Sequence, residues 1–387
     1  SGLGLGVGDL MFFPDGSDFT MKDLLPVFQH FKQTSQFRTK YDYDNLLYLV
    51  AGEIVRRVSG MTFEDFVTKR ILVPLKMDGS AASFDRIKDA NSLAVPHSSE
   101  SGQLQQLEHY REMINAAAGG LQSNAVDMSK WMLAHLNKGK YGDGLKETLF
   151  TVQSQRKMWK IHTVLDADPD PRYNSHFSGY GLGFRLSDKK GNLMVDHTGG
   201  LPGMASKVTM IPDLNLGVVV LTNTTMDGAG IFSAVTNTIV DSYLGLPDNS
   251  WIEKMGVFFE NRAKTGDTVT EEVWKTVKTA DKSKIVESDY IGVYEDAWFG
   301  KMEVFSKNGQ LWLKSYRSPK LNGPMYFYKA NTFAVRWEYR DMNCDAFAMF
   351  TLDESGKAVG FKMKGISPTI DFSFDFHDLD LKRISKK

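Results

Sequence analysis

Two places in this sequence hold residues that could do chemistry. The first is Leu193-Met-Val-Asp-His-Thr-Gly-Gly-Leu-Pro-Gly203, an apolar strand pattern that ends in His197 and Thr198 and then loses its side chains at Gly199 and Gly200. Neighbouring side chains of a strand point to opposite faces, so His197 and Thr198 diverge, and the two glycines leave the backbone open to close approach. An extended substrate could pair with such an edge as an added strand, and an unpaired N–H could bind an oxyanion. The other reading of Gly199-Gly200 is plain turn chemistry in a hairpin. The second place is Tyr43-Asp44-Asn45, where a phenol and an amide at i and i+2 of an extended segment face the same way. One could handle a proton while the other holds a carbonyl. A phenol of ordinary pKa about 10 is a base only beside a cation that stabilises the phenolate. Otherwise Tyr43 packs at a helix entrance and Asn45 caps the helix.

Other routes are poorly supplied. The eight histidines are scattered with no His-Glu-x-x-His, and Cys344 is the single cysteine, so neither a metal ligand set nor an intrachain disulfide is expected. Gly-x-Ser-x-Gly does not occur, which argues against the nucleophile-elbow hydrolases. Gly2, Gly4, Gly6 and Gly8 alternate without a preceding strand or dinucleotide spacing, so residues 1–16 read as a flexible loop rather than a phosphate cradle. No cofactor is implied.

The 387 residues provide material for two or three domains, and 42% hydrophobic with 24% charged residues is the balance of a soluble globular chain. Lys plus Arg number 46 against 47 Asp plus Glu, so no global field draws the chain to nucleic acid or an anionic membrane. A small-molecule partner fits better. Apolar runs such as Leu216–Leu221 are far too short to span a bilayer as a helix. The chain opens on Ser1-Gly2-Leu3-Gly4 without an initiator Met, so a targeting segment could lie upstream.

The elements that must position these residues follow from periodicity. Apolar residues at 46, 47, 49, 50, 54, 55 and 58 predict a helix stopped by Ser59-Gly60. Thr62-x-x-Asp65 predicts a capped helix to about Leu72, and Ser123-Asn124 caps another through Leu136. From Tyr180 the period becomes strand-like, giving Tyr180–Leu186, Leu193–Thr198, Lys207–Ile211 and Gly217–Asn223, with a helix from about Ile231 to Tyr243 returning across them. This is an α+β pattern, an antiparallel sheet with helical cover. Residues 248–283 read as a linker with one short helix. Beyond it, Ile291–Tyr294, Met302–Ser306, Gln310–Tyr316, Met325–Tyr328, Thr332–Glu338, Ala346–Leu352, Ala358–Lys364 and Phe372–Phe376 predict eight short strands, a small barrel or sandwich.

The order of motifs is more specific than any one of them. Tyr43-x-Asn45 and its helix, Ala117-Ala-Gly-Gly-Leu-Gln-Ser123, Tyr180-Gly-Leu-Gly-Phe184, His197-Thr-Gly-Gly200 and Gly217-Val-Val-Val-Leu-Thr-Asn223 occur in one sequence. Together they closely resemble the serine β-lactamase and penicillin-binding-protein-like family, on its class C, esterase and D-aminopeptidase branch, over roughly residues 1–246. The tail resembles the lipocalin-like domain often appended to such enzymes. The resemblance implies a β-lactamase/transpeptidase-like hydrolase domain over 1–247, incomplete at its N-terminus, and a lipocalin-like barrel over 284–387. It also implies acyl-enzyme chemistry on an ester, amide or small peptide, with export to a bacterial periplasm typical of relatives. By resemblance Tyr43 is the proton-handling phenol, and Asn45 contacts substrate and positions a lysine. His197, Thr198 and Gly199 match Lys-Thr-Gly, and Gly200 N–H is an oxyanion donor.

Two departures shape the expectation. His197 replaces the lysine, and a neutral imidazole anchors a carboxylate less firmly than an ammonium, which moves penicillin hydrolysis to a side activity. The Ser-x-x-Lys that supplies the nucleophile is missing. Ser154-x-x-Lys157 falls in a surface helix after Tyr43, and Ser187-x-x-Lys190 in a polar hairpin. The nucleophile is therefore expected upstream of Ser1, and this chain alone to be inactive, with apolar surface exposed where the absent part would pack. Two alternatives are a non-catalytic module that keeps a penicillin-recognising cleft, and a barrel that carries a small apolar ligand; short strands rich in aromatics suit a filled interior better.

Overall fold

The structure is a computed structural model that describes residues 1–99, 103–112, 114–283 and 285–384. Lys284, where the sequence reading begins its last domain, and residues 385–387 lie outside the described residues. The chain divides into two compact units, one of Ser1–Gly2, Ser35–Asp42 and Ala51–Lys264, the other of Leu3–Thr34, Tyr43–Val50 and Thr265–Lys387.

The first unit is built on a six-stranded antiparallel sheet of β1 (Thr163–Leu165), β2 (Ser178–Tyr180), β3 (Arg185–Lys189), β4 (Asn192–Leu201), β5 (Met204–Ile211) and β6 (Leu216–Thr222), neighbours in chain order throughout. Helix α1 (Ala125–Leu136) brings Met132 onto one sheet face against Leu186, Val195 and Met210. Helix α2 (Met226–Tyr243) brings Val240 onto the other against Ile211, Leu216 and Val218. Residues one apart in β4 and β5 thus belong to different cores, and a slip of one would expose both. Asn124 caps α1 by accepting from Asp127 N–H at 3.0 Å, at the predicted place. Thr62 likewise caps Phe63–Val67 by accepting from Asp65 N–H at 3.1 Å, after which the backbone widens into a π-type turn to Leu72.

Three sequence expectations change here. The predicted strand Tyr180–Leu186 is two strands, because the chain turns at Gly181–Phe184, with Gly181 N–H donating to Phe184 O at 2.8 Å and Gly183 at φ +80°. Gly199-Gly200 is not a turn. It lies inside β4, paired with Ser206 and Ala205, and the hairpin turns instead at Pro202-Gly203, where Gly203 has φ +74°. The linker holds two helices rather than one, α3 (Trp251–Thr265) and α4 (Thr268–Thr279).

The second unit contains a closed antiparallel barrel of β7 (Gly292–Asp296), β8 (Gly300–Lys307), β9 (Gln310–Ser315), β10 (Asn322–Lys329), β11 (Thr332–Val335), β12 (Ala346–Leu352), β13 (Ala358–Gly365) and β14 (Asp380–Ile384). Alternate residues fill it: Tyr294, Met302, Val304, Leu313, Phe350 and Phe361 are all buried, with Phe350 and Phe361 rings 4.8 Å apart. The interior is packed side chain, as the aromatic content of the strands predicts. Helix α4 lays Val273 and Val277 against Ala334 and Ile366.

The eighth strand was expected at Phe372–Phe376 and is instead Asp380–Ile384, which closes the ladder onto β7. The aromatic stretch serves a different core. Phe374 packs edge-on to Phe13 with centroids 6.0 Å apart, and Asp375 accepts from Gly8 and Leu10 N–H at 2.7 and 3.0 Å. Accordingly residues 1–16 are not a flexible loop. Leu10, Met11 and Phe12 are fully buried, and Gly6 and Gly8, at φ +70° and +79°, leave no room for a side chain: a Cβ would lie 2.6 Å from Phe372 O or 2.7 Å from Leu46 Cδ2.

Candidate functional site

The sequence-predicted residues fall into two groups. Tyr43 and Asn45 belong to the second unit, His197 to Gly200 to the first, and each group has its own surroundings.

β4 outruns its neighbour. β3 pairs with Asn192–Asp196 and begins at Arg185 opposite Asp196, whereas β5 pairs with β4 through Leu201. Over 198–201 one edge of β4 therefore has no strand partner among the described residues. Thr198, Gly199 and Gly200 are exposed along it. A Cβ on Gly199 would sit 2.6 Å from Ser206 Oγ, which would have to rotate away, whereas one on Gly200 would meet nothing within 4 Å. Such an edge can take an extended acyl chain by strand addition, with specificity set by what lies beside it.

His197 sits at the mouth of that edge. Its Nδ1 lies 2.6 Å from Thr198 O and its Nε2 2.8 Å from the Tyr180 hydroxyl. A carbonyl only accepts, so Nδ1 carries the hydrogen and Nε2 of the neutral ring accepts from Tyr180 O–H. Burial holds the imidazole below its ordinary pKa, against the pull of Thr198 O and the Asp196 carboxylate. His197 is thus a neutral, oriented group. Tyr180 is the residue that sequence reasoning passed over; its motif was noticed for its order, and its pairing with a histidine 17 positions on is a property of the sheet. The Tyr41 ring lies tilted at 52° to Tyr180 with centroids 5.4 Å apart, and Arg185 lies over Tyr41 at 5.6 Å, placing a cation at the end of β3. On the sheet, Asp196 is pushed up and Lys207 pushed down, both by burial first, each drawn back by the other's charge.

Helix α5 (Asn45–Ser59), which the sequence places at 46–58, begins at Asn45 itself, and only its first residues, through Val50, belong to the second unit. The sequence alternative of Asn45 as its cap is displaced by Asp44, whose buried carboxylate accepts from Leu47 N–H at 3.3 Å. Burial pushes Asp44 up to about 7. Asn45 is left to bond elsewhere: its Nδ2 donates to Asp9 Oδ2 at 2.7 Å. Asp9 is fully buried and lifted well above the carboxylate range, by burial first. Tyr43 O accepts from Gly6 N–H at 2.8 Å, and the Tyr43 ring stands edge-on to Phe372 at 5.8 Å.

The two Ser-x-x-Lys matches do not form an active site. Ser154 and Lys157 are exposed on the helix Val152–Met158, and Ser187 and Lys190 belong to the β3–β4 hairpin. Among the described residues no cluster of three or more His, Cys, Asp or Glu is placed to hold a metal, and no helix is long and apolar enough to cross a membrane.

The beta-lactamase family model matches residues 2–231, and a domain of unknown function, DUF3471, matches residues 276–383. The chain is 27% identical over 252 residues to the "Unguisins hydrolase ungD'" of Aspergillus campestris, a match that covers 62% of this chain and 45% of the fungal protein. It is 25% identical over 185 residues to "Beta-lactamase-like protein 1" of Dictyostelium discoideum, covering 46% of this chain and 29% of that one. The chain spans less than half the length of these curated relatives. The octameric penicillin-binding protein homologue of Pyrococcus abyssi superimposes with a TM-score of 0.50 at 17% identity, over 95% of this chain and 72% of that chain. That likeness is one of fold.

Proposed function

Because this chain belongs to the beta-lactamase family and carries a lipocalin-like eight-stranded barrel behind that domain, we propose that it is the substrate-facing part of a serine hydrolase that works through an acyl-enzyme. The substrate class is an ester, amide or small peptide. The single observation that carries this reading is the open edge of β4 over 198–201, with exposed Thr198, Gly199 and Gly200 beside an oriented, neutral His197. An acyl chain paired along that edge brings its carbonyl against backbone N–H groups, and Gly200 N–H is the proposed oxyanion donor.

In this scheme a serine Oγ, on a Ser-x-x-Lys outside these 387 residues, attacks the carbonyl carbon. Tyr43 relays the hydroxyl proton to the leaving group, and Asn45 holds the substrate carbonyl and the lysine. Water then releases the acyl group and restores the serine. Thr198 binds the polar end of the substrate by hydrogen bonds, and His197, both of whose ring nitrogens are already engaged, presents a neutral ring beside it. With no formal charge on the imidazole, carboxylate-bearing penicillins are poorer substrates than uncharged esters and amides. The relative named an unguisins hydrolase supports hydrolysis as the reaction type.

The test is covalent labelling of the native protein, its N-terminal sequence and intact mass determined first, with a fluorophosphonate and with a fluorescent penicillin. The reading requires label on a serine and faster reaction with the fluorophosphonate. A folded native protein that takes up neither probe overturns it.

A further inference from the structure

The C-terminal stretch Phe372–Asp375 touches several supports of the Tyr43-x-Asn45 segment within its own unit. Ser373 Oγ donates to Asp9 Oδ2 at 3.1 Å, the same oxygen that receives Asn45 Nδ2 at 2.7 Å. Phe372 meets the Tyr43 ring edge-on, with the planes at 86°. Its carbonyl and ring also close over Gly6, whose N–H holds Tyr43 O. Asp375, fully buried, takes the N–H groups of Gly8 and Leu10 on either side of Asp9.

We propose that Phe372–Asp375 is a positioning clamp for Tyr43 and Asn45, acting through Asp9, so that the C-terminal domain takes part in the chemistry assigned above. The inference rests on that assignment for its functional half. Its structural half stands on the contacts alone. Asp9 Oδ2 accepts from two donors and fixes which way the Asn45 amide points: the NH2 group is turned to Asp9 and Oδ1 away from it. Among the described residues, Asp9 Oδ1 is buried with no hydrogen-bond partner. An orphaned carboxyl oxygen is costly to bury, so packing alone would be served better by an apolar side chain there. The carboxyl is explained by what it orients.

The chain of supports also accounts for the aromatic stretch lying outside the barrel ladder. Were Phe372–Phe376 the eighth strand, Ser373 and Asp375 would be spent on barrel pairing and the loop at 6–10 would have nothing to grip. Catalytic groups must be held to a fraction of an ångström, and a misplacement of about 1 Å costs on the order of a hundredfold in rate.

The experiment uses the native protein and the variants Ser373→Ala, Asp9→Ala, Asp9→Asn and, as a control in the barrel interior, Phe361→Leu. The side-chain amide resonance of Asn45, identified by its loss in Asn45→Asp, reports orientation without reference to activity. The fluorophosphonate labelling rate reports chemistry. We expect the amide resonance to shift in Ser373→Ala and Asp9→Ala, with labelling slowed about tenfold and a hundredfold. Asp9→Asn keeps an acceptor in place and restores most of the rate. Phe361→Leu lowers the thermal midpoint and leaves both readouts where they were. An unmoved Asn45 amide in Asp9→Ala and Ser373→Ala overturns the clamp. A moved amide with unchanged labelling overturns its part in chemistry, as does Phe361→Leu slowing labelling as much as Ser373→Ala. A native protein that does not label overturns the proposed reaction instead, and the amide shift then decides the clamp alone.

Discussion

The Tyr180 hydroxyl and the His197 Nε2 are 2.8 Å apart, and this bond orients the imidazole in the candidate site. Nδ1 donates to Thr198 O, burial favours the neutral ring, and in that ring Nε2 accepts from the phenol. Hydrogen bonding to the neutral form and burial act in the same direction.

Tyr180→Phe removes the donor. The His197 pKa is then expected to rise toward its ordinary value, and stability to fall by about 1 kcal/mol for the lost bond. Imidazole nitrogen shifts followed against pH check this. A wild-type His197 that titrates at or above the ordinary value, or one that does not respond to the substitution, refutes it.

The two glycines of β4 should behave differently. Gly199→Ala brings a Cβ against Ser206 Oγ, which must rotate away, and is expected to cost up to about 1 kcal/mol, most of it recovered by Ser206→Ala. Gly200→Ala meets nothing within 4 Å and should leave urea stability nearly unchanged. If its N–H edge binds the acyl chain, its effect appears in labelling rate. Equal destabilisation by the two alanines would contradict the packing described for this edge.

His135 is buried among Trp131, Phe150, Trp159 and Phe184, and burial depresses it to about 4. The unfolded chain takes up the proton near pH 6.5 and the folded chain only near 4. The neutral ring's contribution is therefore complete above about 6.5 and is lost as pH falls to 4, a difference of about 3 kcal/mol. His135→Phe should flatten this part of the stability profile in paired urea titrations. Parallel profiles for the two proteins would count against it.

Asp44 has the opposite sign. Its folded pKa of about 7 lies above the unfolded value of about 3.9, so its contribution is present at low pH and lost as pH rises from about 4 to 7. Asp44→Asn keeps an oxygen for Leu47 N–H and removes the charge. At pH 8 the variant should be more stable by about 1–4 kcal/mol, with the gain vanishing near pH 4. A variant less stable than the parent at pH 8 would show that the charge is welcome there.

What the sequence determined by itself was local or periodic. Asn124 and Thr62 cap their helices because a side-chain oxygen reaches an N–H three residues on, whatever lies beyond. Val195 and Met210 alternate with Met194 and Ile211 because the sheet is covered on both faces. The family was legible in the order of short motifs. Tertiary structure decided which groups meet across long separations. Phe372–Phe376 has the composition of a strand, yet Asp380–Ile384 closes the barrel and leaves those aromatics to pack edge-on against Phe13 and Tyr43. The Gly-rich start of the chain resembles a loose loop until Asp375 supplies partners for its N–H groups, 367 residues away from Gly8. Asn45 resembles a cap until Asp44 takes that place and Asp9 takes the amide. A hydrogen bond needs its partner within about 3 Å, and only the folded chain says which partner that is.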